Sequence, residues 1–113
     1  MEWKGQFCGV LKGSHRVLAT AQQWAQAWAE IGQPAPPAPD FNSVFAVAVF
    51  LGERSTGGYG VKWLDPAASG PAAVVRYHET KPRGFATQVL TQPYAVKLFP
   101  RTARDMLVEA LPD

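Results

Sequence analysis

The residues able to do chemistry in this chain are few and scattered. His15, His78 and Cys8 are its only imidazoles and its only thiol, and none stands near another at the spacing that zinc or iron ligands take. Neither metal nor cofactor is expected. Ser55 and Thr56 carry hydroxyls in a turn-forming stretch, but no nucleophile-elbow G-x-S-x-G surrounds them and no base is placed beside them. Glu53 and Glu79 fall on different elements, and nothing in the sequence brings them together as a carboxylate pair. Each histidine reads as an exposed imidazole, His15 in a polar turn and His78 on the wet face of a strand. The chain therefore reads as a protein that binds rather than an enzyme.

The densest feature is Gly52-Glu53-Arg54-Ser55-Thr56-Gly57-Gly58-Tyr59-Gly60. A phosphate-cradling loop needs a strand leading through its glycines into a helix. Here Tyr59 to Leu64 alternates like a strand, so that role fails on context. What the glycines offer is a reversal: Gly57 and Gly58 permit positive φ at a tight hairpin turn between the preceding apolar strand and the Tyr59 strand. Glu53, Arg54, Ser55 and Thr56 then form a polar tip available to a partner. On that reading Gly58→Val costs on the order of 1 kcal/mol or more. Arg54→Ala, at an exposed tip, stays within about 0.5 kcal/mol.

Several elements must position this loop. Gly5 to Leu11 and Arg16 to Ala19 read as two strands of a hairpin turned at Lys12-Gly13-Ser14-His15. Thr20-Ala21-Gln22-Gln23 fits a capping box, and Ala21, Trp24, Ala25, Trp28 and Ile31 recur at helical spacing to give one amphipathic helix over 20–31. Its two indoles read as core. Gly32 ends the helix, and Gln33-Pro34-Ala35-Pro36-Pro37-Ala38-Pro39 cannot continue it, so a stiff extended connector follows.

Ser43 to Leu51 is almost wholly apolar, as in a central strand covered on both faces or in a barrel interior. Tyr59, Val61 and Trp63 alternate with Gly60 and Lys62 in the next strand. Asp65-Pro66 to Gly70-Pro71 reads as turn, Ala73 to His78 as a further strand broken at Pro82-Arg83-Gly84, and Tyr94 to Leu98 as the last strand. Thr102 begins a short C-terminal helix carrying Met106, Leu107, Ala110 and Leu111. The fold class is α+β: a single domain over 1–113, a mostly antiparallel sheet or partial barrel with one helix packed on it and a short helix at the end.

Composition agrees. At 113 residues with 47% hydrophobic and 18% charged side chains, the chain can build one core. Eleven basic residues stand against nine acidic ones with no basic run, which speaks against nucleic acid. No stretch is long and apolar enough to span a bilayer. The N-terminus lacks a signal-peptide pattern, so the chain as it stands reads as cytoplasmic, with an envelope or secreted location only if an export signal has been removed. A lone cysteine excludes an internal disulfide.

Taken in order, these motifs resemble the PrcB C-terminal domain family of protease-complex subunits. The resemblance rests on Trp24 and Trp28, Pro39-Asp40-Phe41, Val47 to Phe50 running into the Gly52 to Tyr59 string, and Gln92-Pro93-Tyr94. It spans about residues 5–100, and the Gly-x-Arg-x-Thr-Gly-Gly-Tyr string is its most specific part. It implies a non-catalytic accessory domain that associates with and stabilises a protease, and it leaves a homo-oligomer open. The alternative is a small-ligand or peptide-binding domain. Its expected contact residues are Glu53, Arg54, Ser55 and Thr56 of the tip together with Tyr59, Trp63, Arg76 and Tyr77, with Gly57 and Gly58 as the turn. A protein-docking role predicts an exposed apolar patch or an open strand edge; a ligand role predicts a pocket lined by the four aromatic and basic residues.

Overall fold

The computed structural model describes residues 1–64, 67–69, 72–101 and 105–112. The strands are β1 (Glu2–Gly5), β2 (Ser14–Leu18), β3 (Val44–Phe50), β4 (Gly60–Trp63), β5 (Ala67–Ser69), β6 (Ala72–Thr80), β7 (Tyr94–Pro100) and β8 (Asp105–Ala110); the helix α1 (Ala21–Ile31) lies between β2 and β3. They form two open sheets, one in the order β1-β7-β3-β2, the other with β4, β5 and β8 all paired to β6. Every pairing is antiparallel except β6 with β8. The α+β class holds, and neither sheet closes into a barrel. No described helix is long and apolar enough to cross a membrane.

Both faces of β3 are covered, which is why its sequence shows no polar alternation. Ala46, Ala48 and Phe50 pack with Leu18, Trp24, Ala27, Trp28 and Ile31 beneath the helix. Phe45, Val47, Val49 and Leu51 face the second sheet and meet Val75, Tyr77 and Phe99. The molecule is thus three layers, helix on sheet on sheet. The small Ala46 and Ala48 leave room for the large indoles above them. At roughly 1.5–3 kcal/mol for each large apolar side chain buried, this double core is the main source of stability.

The helix starts as its sequence directs. The Thr20 hydroxyl accepts from Gln23 N at 3.1 Å, while Gln23 Oε1 accepts from Ala19 N at 2.7 Å, so two otherwise unpaired backbone donors are satisfied. Gly32 closes it with φ +84°, the left-handed conformation glycine adopts without penalty. Ala21 and Ala25 of the expected stripe are exposed, and Ala27 is buried in their place. The proline connector takes no regular structure, and its Pro36 carbonyl accepts from Trp24 Nε1 at 2.9 Å. At Pro39-Asp40-Phe41, the Asp40 carboxylate accepts from Asn42 N at 3.0 Å and from Ser43 Oγ at 3.1 Å, a short turn that delivers the chain into β3.

Four expectations are corrected. The N-terminal hairpin does not form: β1 covers only Glu2–Gly5 and lies at the opposite edge of its sheet from β2. Residues 6–13 form a loop whose Gln6 and Leu11 carbonyls accept from Gln92 N and Glu53 N, so its backbone groups are satisfied by distant loops rather than by β2. The glycine hairpin does not form either. β3 is flanked on one side by β2 and on the other by β7, so β4 has no free edge to join and goes to the other sheet. The expected turn between Leu64 and Ala72 contains the short strand β5; Asp65, Pro66, Gly70 and Pro71 lie outside the described residues.

The C-terminal helix is replaced by β8. Thr102, its expected start, lies outside the described residues. A six-residue helix is too short to nucleate cheaply, whereas the open edge of β6 offers a ready ladder. In β8 the partly buried Met106 and Val108 turn to the core while Asp105, Leu107 and Glu109 face out, a period of two that the helical spacing had masked.

Candidate functional site

The glycine string is a rivet between loops. Gly52 has φ +83°, and a Cβ there would sit 2.8 Å from Gly13 N and 3.1 Å from the Leu11 carbonyl. Arg54 exchanges backbone hydrogen bonds with Thr91 at 2.8 and 2.9 Å. The Thr91 hydroxyl, fully buried, donates to the Thr56 carbonyl at 2.8 Å. Gly57 N donates to the Thr87 carbonyl at 2.9 Å. The Gln6 amide closes the set: its Oε1 accepts from Gly58 N at 3.3 Å and its Nε2 donates to the Tyr59 carbonyl at 2.8 Å. Three loops, 6–13, 51–59 and 81–93, are held together at one end of the molecule. Of the two turn glycines, Gly58 has φ +93°, and Gly57 is not in the left-handed region.

Arg54 is the centre of this assembly. Its Nε and second terminal nitrogen donate to the two Glu79 oxygens at 3.3 and 2.7 Å, and its guanidinium carbon lies 5.5 Å from the centre of the Tyr59 ring. The hydrogen bond to Glu79 raises the already high pKa of the guanidinium. The pair is three-quarters buried, with side-chain exposures of 28% and 22%. Arg54 is therefore held inward rather than offered at a tip. Arg54→Ala is expected to cost about 1.5 kcal/mol, because it leaves the mostly buried Glu79 carboxylate without its partner. Urea denaturation checks this; a loss under about 0.5 kcal/mol, the cost at an ordinary exposed site, would show that the pair contributes nothing. Glu53 and Ser55, by contrast, are exposed.

Tyr59, Trp63, Arg76 and Tyr77 do not share a pocket. Tyr59 and Trp63 pack at the margin of the second core layer, and Trp63 Nε1 donates to Glu2 at 2.8 Å. Arg76 is on the opposite face of β6 from Tyr77 and lies 3.6 Å from the Glu109 carboxylate. Tyr77 instead joins Arg54 and Glu79 in lining a groove of about 540 Å³ that also takes in Ser14, His15 and Leu111. There the Tyr77 hydroxyl and His15 Nδ1 are 2.7 Å apart, and burial pushes the phenol pKa up. His15, with Ser14, belongs to β2 rather than to a turn, and it is exposed as expected. Two matched polar pairs lie in the groove, His15 with Tyr77 and Arg54 with Glu79. No cluster of three or more potential metal ligands occurs among the described residues. Cys8 is half-buried, donates weakly to the Gln92 carbonyl at 3.4 Å, and has its thiol pKa raised by burial.

The riveted loops expose large apolar side chains among their polar ones. Of the seven large hydrophobic side chains exposed among the described residues, Phe7, Leu11, Phe85, Val89 and Leu90 all belong to these loops. Phe85 is fully exposed and Phe7 57% exposed. Phe7, Val89 and Thr87 border a shallow groove of about 500 Å³ over Gly57 and Gly58, where the absence of side chains on the glycines keeps the floor low. Exposed apolar groups concentrated in two loops of so small a protein mark a surface that other molecules cover. Sequence gave a faint signal of it, since Phe85 and Leu90 stand in a segment with no strand or helix pattern.

Residues 45–99 match the model of the family described as PrcB C-terminal. The matched span runs from Phe45 in β3 to Phe99 in β7, so it contains the glycine string and three of the residues that hold it, Glu79, Thr87 and Thr91. The resemblance seen in the motifs holds over these residues. No curated protein and no solved structure matches the chain.

Proposed function

We propose that this is a non-catalytic accessory domain that docks onto a protein partner through the apolar end formed by its riveted loops, with a protease as the partner that its family match supports. The observation that carries the reading is the placement of Phe7, Leu11, Phe85, Val89 and Leu90 on two of the three loops bonded to one another. Exposed apolar side chains on floppy loops would lose entropy on docking; on loops already fixed, that cost is smaller. The most specific part of the family motif then has an indirect role: it fixes the platform, and neighbouring side chains make the contact.

A photo-crosslinking amino acid placed at position 85, with position 62 on the outer face of β4 as control, tests this in the producing organism. The expected result is a crosslinked protease from position 85, identified by mass spectrometry, and none from position 62. Phe7→Asp with Val89→Asp should reduce that crosslink at least tenfold while leaving the melting temperature within a few degrees, since both side chains are exposed. Equal adducts from the two positions, or none from position 85, would overturn the docking face. A specific adduct to a protein other than a protease would keep the face and overturn the partner.

A further inference from the structure

The groove over Gly57 and Gly58 offers an occupant little but apolar surface. The Gln6 amide is engaged by Gly58 N and the Tyr59 carbonyl, and the Thr91 hydroxyl by the Thr56 carbonyl. Gly57 donates its N–H to the Thr87 carbonyl and accepts at its own carbonyl from the Thr56 hydroxyl. Beside these engaged groups stand the exposed side chains of Phe7 and Val89. A polar occupant would lose its water without gaining these groups as partners, so the groove suits a hydrocarbon side chain.

The same loops carry one at the rim of the groove. Residues 83–86 form a tip whose two ends rest on the glycine pair. Pro82 lies against Gly58, where an added Cβ would come within 2.6 Å of Pro82 Cβ, and the Thr87 carbonyl accepts from Gly57 N at 2.9 Å. Between these anchors Gly84 has φ +77° and nothing within 4 Å of its would-be Cβ, and Phe85 is fully exposed. The ring of Phe85 therefore leaves the groove of its own chain unfilled.

We propose that the riveted face pairs with a second copy of this chain, the Phe85 ring of each copy seating in the Gly57–Gly58 groove of the other. The arrangement is self-complementary: ring and groove stand side by side on one face, so two copies related by a two-fold axis each give one ring and receive one, and the assembly closes as a dimer. Phe7 and Phe85 together offer on the order of 300 Å² per copy, the low end of interface size, so the dimer is weak and reversible. The inference rests on the docking reading above for the location of the face and adds a regulation of it. Self-pairing covers the apolar side chains while no partner is bound, and a partner must displace the second copy to dock.

Sedimentation equilibrium of the whole purified chain, from about 10 µM to about 1 mM, tests the pairing against an expected Kd on the order of 100 µM. The mean mass should rise from one chain toward two across that range. Phe85→Asp removes the ring and should raise the Kd about tenfold or more. Gly57→Leu fills the groove and should do the same; it is tolerated because Gly57 is not in the left-handed region and its Cβ would first meet Thr87 Cβ at 3.6 Å, an ordinary contact. The two variants complement each other, one keeping only the groove and the other only the ring. The Gly57 and Gly58 amide signals of ¹⁵N-labelled Phe85→Asp should therefore shift on adding unlabelled Gly57→Leu and stay still on adding unlabelled Phe85→Asp. A chain that remains monomeric to about 1 mM, a dimer unaffected by Phe85→Asp, or glycine signals that move equally with both additions would overturn the proposal. These measurements involve no partner, so they stand or fall apart from the crosslink to a protease, and a self-adduct from position 85 reports this dimer and is told from that crosslink by its mass.

Discussion

Gly58→Val is expected to destabilise the domain by about 3 kcal/mol or more and to lower the melting temperature by more than about 10 °C. Two penalties add at this position. The backbone has φ +93°, where a β-branched residue is strained by roughly 1–3 kcal/mol. A Cβ would also stand 2.6 Å from Pro82 Cβ and 3.4 Å from Pro82 Cα. Proline has no alternative rotamer to move away, so the clash falls on the backbone, at a further 1–3 kcal/mol, roughly the cost of overpacking. Gly84 provides the control, because it has φ +77° and nothing within 4 Å of its would-be Cβ. Gly84→Val should cost the conformational part alone. Calorimetry on the two variants separates the terms; equal losses at both sites would show that Pro82 yields freely and that only the dihedral matters.

Trp24→Ala is expected to cost about 3–5 kcal/mol, the range for removing a buried large aromatic. The side chain is 98% buried among Trp3, Trp28 and Phe41, and it also holds the connector through the Pro36 carbonyl. Its removal opens a cavity under the helix and frees the proline segment together. Trp24→Phe keeps most of the volume and loses the hydrogen bond, so it should cost roughly half as much. Denaturant midpoints check both. A Trp24→Ala loss under about 2 kcal/mol, below the usual range for such sites, would mean that neighbouring rings collapse into the space.

The sequence declared what neighbouring residues decide together. The capping box at Thr20 and Gln23, the indole stripe of α1 and the doubly covered β3 all depend on spacings of a few residues, and each is found in the structure. The positive φ of Gly58 was legible because only glycine accepts that conformation cheaply. What escaped was the choice of partner across the chain. Arg54 finds Glu79 25 residues away, and His15 finds Tyr77 62 residues away; no local pattern marks either pair. The helical look of Met106, Leu107, Ala110 and Leu111 was overridden by an open edge of β6 that only the tertiary fold creates. The same reasoning explains Pro82, whose contact with Gly58 turns a modest strain into a severe one.

The placement of β1 bears on how the protein is made. Glu2 aligns with Lys97 and Gly5 with Tyr94, so β1 is synthesised long before β7, the strand it pairs with. β2 and β3 can pair, and α1 can dock over them, while synthesis is still under way. Trp3 stays in water until β7 emerges, and the tryptophan cluster completes only then. Loop closure over so long a separation is slow, which places the seating of the N-terminal strand among the last events of folding. A nascent chain stalled shortly before Tyr94 would therefore expose Trp3 to chaperones and proteases although α1 and the β2–β3 pair were already formed.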